Sequence, residues 1–189
     1  MKTLLALFVL FFSSSVFAEN YKFEIEGVSL GDSLLDFMSK KEINKNTVDF
    51  YDYIPNNIWL SVAYQSKLLQ NYDLLQITIK KNDSKFTIYA IGGIISDIGI
   101  EECYKTHERV DAKINEELNN PYKEGPRTVI HPADPSGMSQ VYQITYEGDN
   151  GSVINNECYD WSKNVSYLDS FSVNYLTKEF NDFLNVALK

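Results

Sequence analysis

Two cysteines, two histidines and five prolines are all that the 189-residue chain holds of those types, and the cysteines form no Cys-x-x-Cys pair. That absence excludes a thioredoxin-like redox motif. Gly92-Gly93 stands without the rest of a glycine-rich fingerprint, so a phosphate cradle is excluded and a bulge or tight backbone approach is expected. No Gly-x-Ser-x-Gly nucleophile elbow occurs. The run Glu147-Gly148-Asp149-Asn150-Gly151-Ser152 lacks the spacing and distal glutamate of a calcium loop and reads as a hairpin turn. Basic residues are also short, 17 against 26 acidic ones, for a formal charge of −9. Such a balance argues against nucleic acid, which demands a basic footprint, and against an anionic membrane surface.

Long apolar runs are confined to the beginning. Lys2 supplies a positive charge, Thr3 to Phe12 is almost wholly apolar, and Val16-Phe17-Ala18 offers a cleavage site. Residues 1–18 are therefore expected to be a signal peptide, removed after Ala18. The apolar run is shorter than the roughly 20 residues a membrane span needs. No cysteine near residue 18 would carry a lipid anchor. The expectation is an exported protein, periplasmic or secreted, without stable membrane insertion once the signal is removed.

Residues 19–189 are expected to form a single domain. With 44% hydrophobic and 14% aromatic residues in the chain, a real core is affordable. In an oxidising compartment Cys103 and Cys158 are expected to pair as a disulfide, worth about 4 kcal/mol by loop-closure entropy. Two free thiols are the alternative.

Periodicity sets the fold class. Residues 21–27 alternate as a short strand, and Leu30, Leu34, Phe37 and Met38 recur at helical spacing. Ile58 to Gln65 alternates. Residues 73–80 and 85–95 flank Asn82-Asp83-Ser84 as a hairpin. Residues 97–119 form the main helix, with Ile100, Cys103, His107, Val110, Ile114 and Leu118 on one stripe and Asp97 as its cap. Residues 140–147 and 152–161 flank Asn150-Gly151, a strong hairpin signal. Residues 165–175 form a further strand, and Thr177 caps a short terminal helix. Between them, 119–138 holds four of the five prolines and reads as a structureless connection. The fold class is α+β: a single antiparallel sheet with a long helix packed on one face and a short C-terminal helix.

Candidate sites are few. Cys103 and His107 share a metal-ligand spacing, but both lie on the apolar stripe and read as core. His131 and Asp134, in the proline-rich segment near Ser136 and Ser139, could form a general base and its partner. Trp59, Tyr142 and Trp161, on or beside strands, could present a binding face for a small ligand or an envelope protein. No metal or other cofactor is expected. The favoured reading is a non-catalytic binding or interaction protein. The alternative is a periplasmic hydrolase using His131 as general base. Asn82, Asn150 and Asn164 fit the N-glycosylation pattern, which matters only in a eukaryotic secretory pathway.

The stretch Ile25-Glu26-Gly27-Val28-Ser29-Leu30-Gly31-Asp32-Ser33-Leu34-Leu35-Asp36 resembles the opening of small exported bacterial proteins of uncharacterised function. There a strand ends in glycine and a Leu-Gly-Asp-Ser turn begins a helix. It is more distantly similar to small outer-membrane-assembly lipoproteins and β-lactamase-inhibitory proteins. The resemblance implies an α+β fold and export, and carries over no binding residue.

Overall fold

A computed structural model describes residues 23–48, 54, 57–131 and 134–187. The expected signal segment 1–18 lies outside the described residues. Strands β1 (Thr47–Val48), β2 (Trp59–Tyr64), β3 (Leu74–Lys80), β4 (Ala90–Ser96), β5 (Tyr122–Ile130), β6 (Gln140–Glu147), β7 (Val153–Asp160) and β8 (Ser170–Leu176) form one sheet in the order β1-β2-β3-β4-β8-β7-β6-β5. Every pairing is antiparallel. The helices are α1 (Lys40–Lys45), α2 (Ile100–Glu117) and α3 (Lys178–Ala187), so the class is α+β.

Alternation along the strands sorts side chains to two sides. On one side Val62, Leu75, Ile77, Ile79, Ile91, Ile144, Ile154, Cys158, Phe171 and Val173 are buried together. Phe23, Ile25, Val28, Leu34, Met38 and Ile43 of the N-terminal segment join them, as do Cys103 and Ile114 of α2. A disulfide joins Cys103 to Cys158, with Cα atoms 5.9 Å apart. One turn along α2, His107 is buried, and its Nε2 lies 3.0 Å from the carbonyl oxygen of Asn156. Burial holds this imidazole below its ordinary pKa, so it is neutral and serves as a core hydrogen-bond donor. Nearby, Asp111 accepts from Lys123 Nζ at 2.8 Å and from the Tyr146 hydroxyl. A second, smaller cluster unites Trp59, Ala90 and Leu176 with Phe180 of α3. Among the described residues no helix is long and apolar enough to cross a membrane.

Five local readings change. The strand expected over 21–27 is, among the described residues, only an isolated bridge between Ile25 and Val28. The segment 119–138 is not structureless: β5 occupies residues 122–130 and pairs with β6. All nine of its residues are exposed, so no apolar alternation announces it; the ladder to β6 alone makes it a strand. A register shift between Glu124 and Arg127 accommodates Gly125 and Pro126. The helix expected from residue 29 is only a 3-10 turn at Leu34–Asp36, capped by Ser33, followed by α1 with Ser39 and Glu42 as a capping box. Leu30, Leu34 and Met38 recur at helical spacing because they pack into the core, while Phe37 is left exposed; they do not continue one helix. The cap of α2 is Gly99, while Asp97 takes a positive φ of 55°. Finally, β4 begins at Ala90 and β8 at Ser170, each later than alternation suggests.

Candidate functional site

The opposite side of the sheet is polar where β5 to β8 meet. Ladder partners project to the same side, so register alone defines its rows. One row runs Arg127, Gln143, Glu157, Ser172. The next runs Glu124, Thr145, Asn155, Asn174, Gly92. A third runs Val129, Val141, Tyr159, Ser170. Along β7 these residues alternate with Ile154, Asn156 and Cys158, which face α2. Most of the polar side chains in these rows are partly buried rather than covered.

Glu157 is the centre of this face. Its Oε2 accepts from the Tyr159 hydroxyl at 2.9 Å, from Asn174 Nδ2 at 2.9 Å and from Ser172 Oγ at 3.4 Å. All three donors converge on one carboxyl oxygen, and among the described residues Oε1 receives none of them. Burial raises the Glu157 pKa above the ordinary carboxylate value, partly opposed by these three bonds. Burial and the adjacent Glu157 push the Tyr159 phenol well up, which keeps it a neutral donor. Gly92 explains how Asn174 reaches its place: a Cβ there would run into Asn174 Oδ1. The glycine pair is therefore a site of close approach, in regular register with Gln76 and Leu75 and without a bulge.

Nearby charges are already engaged. Arg127 Nη1 lies 3.9 Å from Glu124. The Gln143 amide oxygen, in the orientation that satisfies both groups, accepts from Arg127 Nη2 at 2.8 Å and Nε at 3.1 Å. Thr145 Oγ1 donates to Asn155 Oδ1 at 3.0 Å.

One end of the face is aromatic. Trp161 lies 4.4 Å from the His131 ring and 4.5 Å from that of Tyr167, centroid to centroid. Tyr159 stacks 6.1 Å from Trp161 with an interplanar angle of 11°. His131 continues the β5 ladder, its N–H donating to Ser139 O at 2.9 Å, which brings it onto the same side as Tyr159. Tyr167 is 58% exposed and forms the outer surface of the group. Through its hydroxyl, Tyr159 joins the aromatic end to the Glu157 row.

Asp134 sits beside this cluster but is committed elsewhere. Its Oδ1 accepts from Ser136 N at 2.9 Å and Ser136 Oγ at 2.7 Å, and its Oδ2 from Ser139 N at 2.9 Å and Ser139 Oγ at 2.6 Å. These serine bonds hold the carboxyl well below the usual range. A hydroxyl has one proton; given to Asp134, it is not available to His131 as a nucleophile's proton must be. Burial also lowers the His131 pKa, so its ring is neutral at neutral pH.

The residues singled out in the sequence thus divide. His131 and Trp161 come together, with Asp134 close in the chain. Tyr142 faces the other side, packing 5.2 Å from Tyr104 and 4.9 Å from His107 of α2. Trp59 is buried beneath α3, 5.0 Å from Phe180, with Lys80 Nζ 5.3 Å from its ring. Cys103 and Cys158 are joined beneath α2. Sequence reasoning missed Glu157, Ser172 and Asn174. Their signal was present: polar residues at alternate positions of two strands that otherwise carry Ile154, Cys158, Phe171 and Val173. Among the described residues no group of three or more His, Cys, Asp or Glu could hold a metal ion. Comparison with protein-family models, with curated proteins and with solved structures finds no match to this chain.

Proposed function

We propose that this is an exported, periplasmic or secreted binding protein of bacterial origin without catalytic activity, and that the polar side of its sheet is the binding surface. On this reading the long helix is packed on one face of the sheet and the other face does the work. Glu157 carries the reading. Three side-chain donors converge on its Oε2 while Oε1 receives none of them, and burial disfavours its ionisation; a carboxyl group so held is typical of functional sites. The adjoining aromatic rings supply contact area at low conformational-entropy cost. The serine hydroxyls spent on Asp134 favour binding over a hydrolase built on His131. The disulfide is compatible with an oxidising compartment.

The test compares the wild-type protein with Tyr167→Ala and Trp161→Ala as bait in a bacterial envelope extract. Partners or ligands retained by the wild type and lost by both variants are the expected result. Ester or peptide hydrolysis that His131→Ala abolishes would replace this reading with the hydrolase. Mass spectrometry of the mature protein should find Glu19 at its N-terminus; a retained Met1 in a cytosolic fraction would overturn export.

A further inference from the structure

The chemistry of this face restricts what it can hold. For an anion, the cation within these rows is Arg127, and it is already shared between Glu124 and Gln143. A cation meets the Arg127 guanidinium one strand beyond Gln143, and a carboxyl that resists ionisation. An apolar ligand would cover Glu157 Oε1 and the amide nitrogens of Asn155 and Gln143 without giving them partners, a cost of about 1–3 kcal/mol for each group left unpaired. A peptide strand recognises sheet edges through the backbone, but β6, β7 and β8 are paired on both sides and the open edge, β5, lies two strands away from Glu157. What remains is an uncharged molecule with several hydroxyls and one flat C–H surface.

We propose that the Glu157 face binds a neutral saccharide. A sugar hydroxyl donates to the open Oε1 of Glu157. The side-chain amides of Asn155 and Gln143 supply further hydrogen-bonding groups, while Asn174 Nδ2 spends both of its protons on Glu157 and Ser172. The ring's apolar side lies against the aromatic end at Tyr159 and Tyr167. The two halves are joined physically, since the Tyr159 ring belongs to the aromatic group while its hydroxyl bonds Glu157 at 2.9 Å. Such adjacency of a ring surface to an oriented hydrogen-bond row is what a pyranose presents in reverse. This inference rests on the open face being a binding surface and adds the ligand class.

The experiment uses the full, disulfide-bonded protein with a panel of neutral oligosaccharides: maltohexaose, cellohexaose, chitohexaose and xylohexaose. Binding is read from the indole N–H of Trp161 by NMR and from tryptophan fluorescence. At least one member of the panel should give a saturable shift at Trp161. Glu157→Gln and Trp161→Ala should each weaken that binding at least about tenfold, the loss expected from one buried hydrogen bond or ring contact. Tyr167→Ala is the check against misfolding, because an exposed ring can be removed without opening the core; it should weaken binding while the thermal midpoint stays unchanged. No saturable shift with any panel member at millimolar concentration overturns the proposal, as does saturable binding of tetramethylammonium or citrate at Trp161 instead. If a photo-crosslinker at position 167 traps a protein from envelope extract while the panel stays silent, the saccharide is refuted and the binding face survives. If both are silent, both readings fall.

Discussion

His107 and Asn156 bind each other twice: Nε2 of His107 lies 3.0 Å from the Asn156 carbonyl oxygen, and Asn156 Nδ2 donates to the His107 carbonyl oxygen at 2.9 Å. A helix carbonyl 49 residues away thus accepts from a strand side chain, and a helix side chain reaches the strand backbone. Four residues earlier on α2 and two later on β7, the Cys103–Cys158 disulfide repeats the attachment covalently. Helix and strand are joined along one line, and the strand's other side chains, Asn155, Glu157 and Tyr159, are presented away from it. The attachment of α2 therefore sets the position of the proposed binding row.

The histidine makes this attachment sensitive to acid. Burial lowers the His107 pKa below its ordinary value of 6.5, and burial does the same for His131. An unfolded chain would protonate both before the folded one does. Their contribution to stability is complete above pH 6.5 and is lost as pH falls from there toward their folded pKa values. Urea midpoints should decline below pH 6.5, and His107→Gln should show a smaller decline than the wild type. An equal decline in the variant would exclude His107 as a source.

Removing the disulfide should be costly but not fatal. The 55-residue separation predicts about 4 kcal/mol from loop-closure entropy, a drop of about 10 °C in Tm for a domain of this size. Cys103→Ala with Cys158→Ala, measured by calorimetry, tests this. Thiol labelling of unreduced, unfolded wild type should find no free cysteine; two labelled residues would refute the bond.

Glu157 has the opposite sign to the histidines. Its folded pKa is raised above 4.5, so the group supports folding when protonated and withdraws that support as pH rises through its folded value. Glu157→Gln keeps an oxygen for the three donors and removes the ionisation. Its Tm should rise by about 2–4 °C at pH 7, on the scale of about 1 kcal/mol, and change little at pH 4. A lower Tm at pH 7 would mean that the carboxylate stabilises the face, contrary to the cost argued above.

Much of the architecture was legible because local chemistry and packing agree. Asn150-Gly151 closes β6 onto β7 with Gly151 at a φ of 76°, and the stripe on α2 buries Cys103, His107 and Ile114. The two largest departures share a cause. Strand β5 buries none of its residues, and the segment before β1 buries many without forming a long helix; in both, pairing and tertiary packing override periodicity. The site was legible only in pieces. His131 and Trp161 were recognisable as residue types, but their 4.4 Å contact depends on the register of three strands. Tyr142 has the same composition signal as Tyr159 and lies on the other side, because one is at an even and the other at an odd position of paired strands. Without register, parity could not be assigned.

The adjacent glycines of β4 turn that parity into a paired prediction. Gly92 and Gly93 lie on opposite sides of the sheet. A Cβ at Gly93 would come within 2.8 Å of the Tyr72 ring, which packs against the main core. Gly93→Ala must displace an aromatic ring from that core and should cost about 1–3 kcal/mol. A Cβ at Gly92 meets the amide end of Asn174, a flexible side chain on the half-exposed polar face. It can swing away, so Gly92→Ala should change stability by less than about 1 kcal/mol. Its effect should appear instead at Glu157, which loses the Asn174 donor to Oε2. Carboxyl titration by NMR should then show the Glu157 pKa moving further up, because one of the bonds that favour its charged form is gone. If Gly92→Ala destabilises as much as Gly93→Ala, both sides of the sheet are packed as core and the polar side is no binding surface.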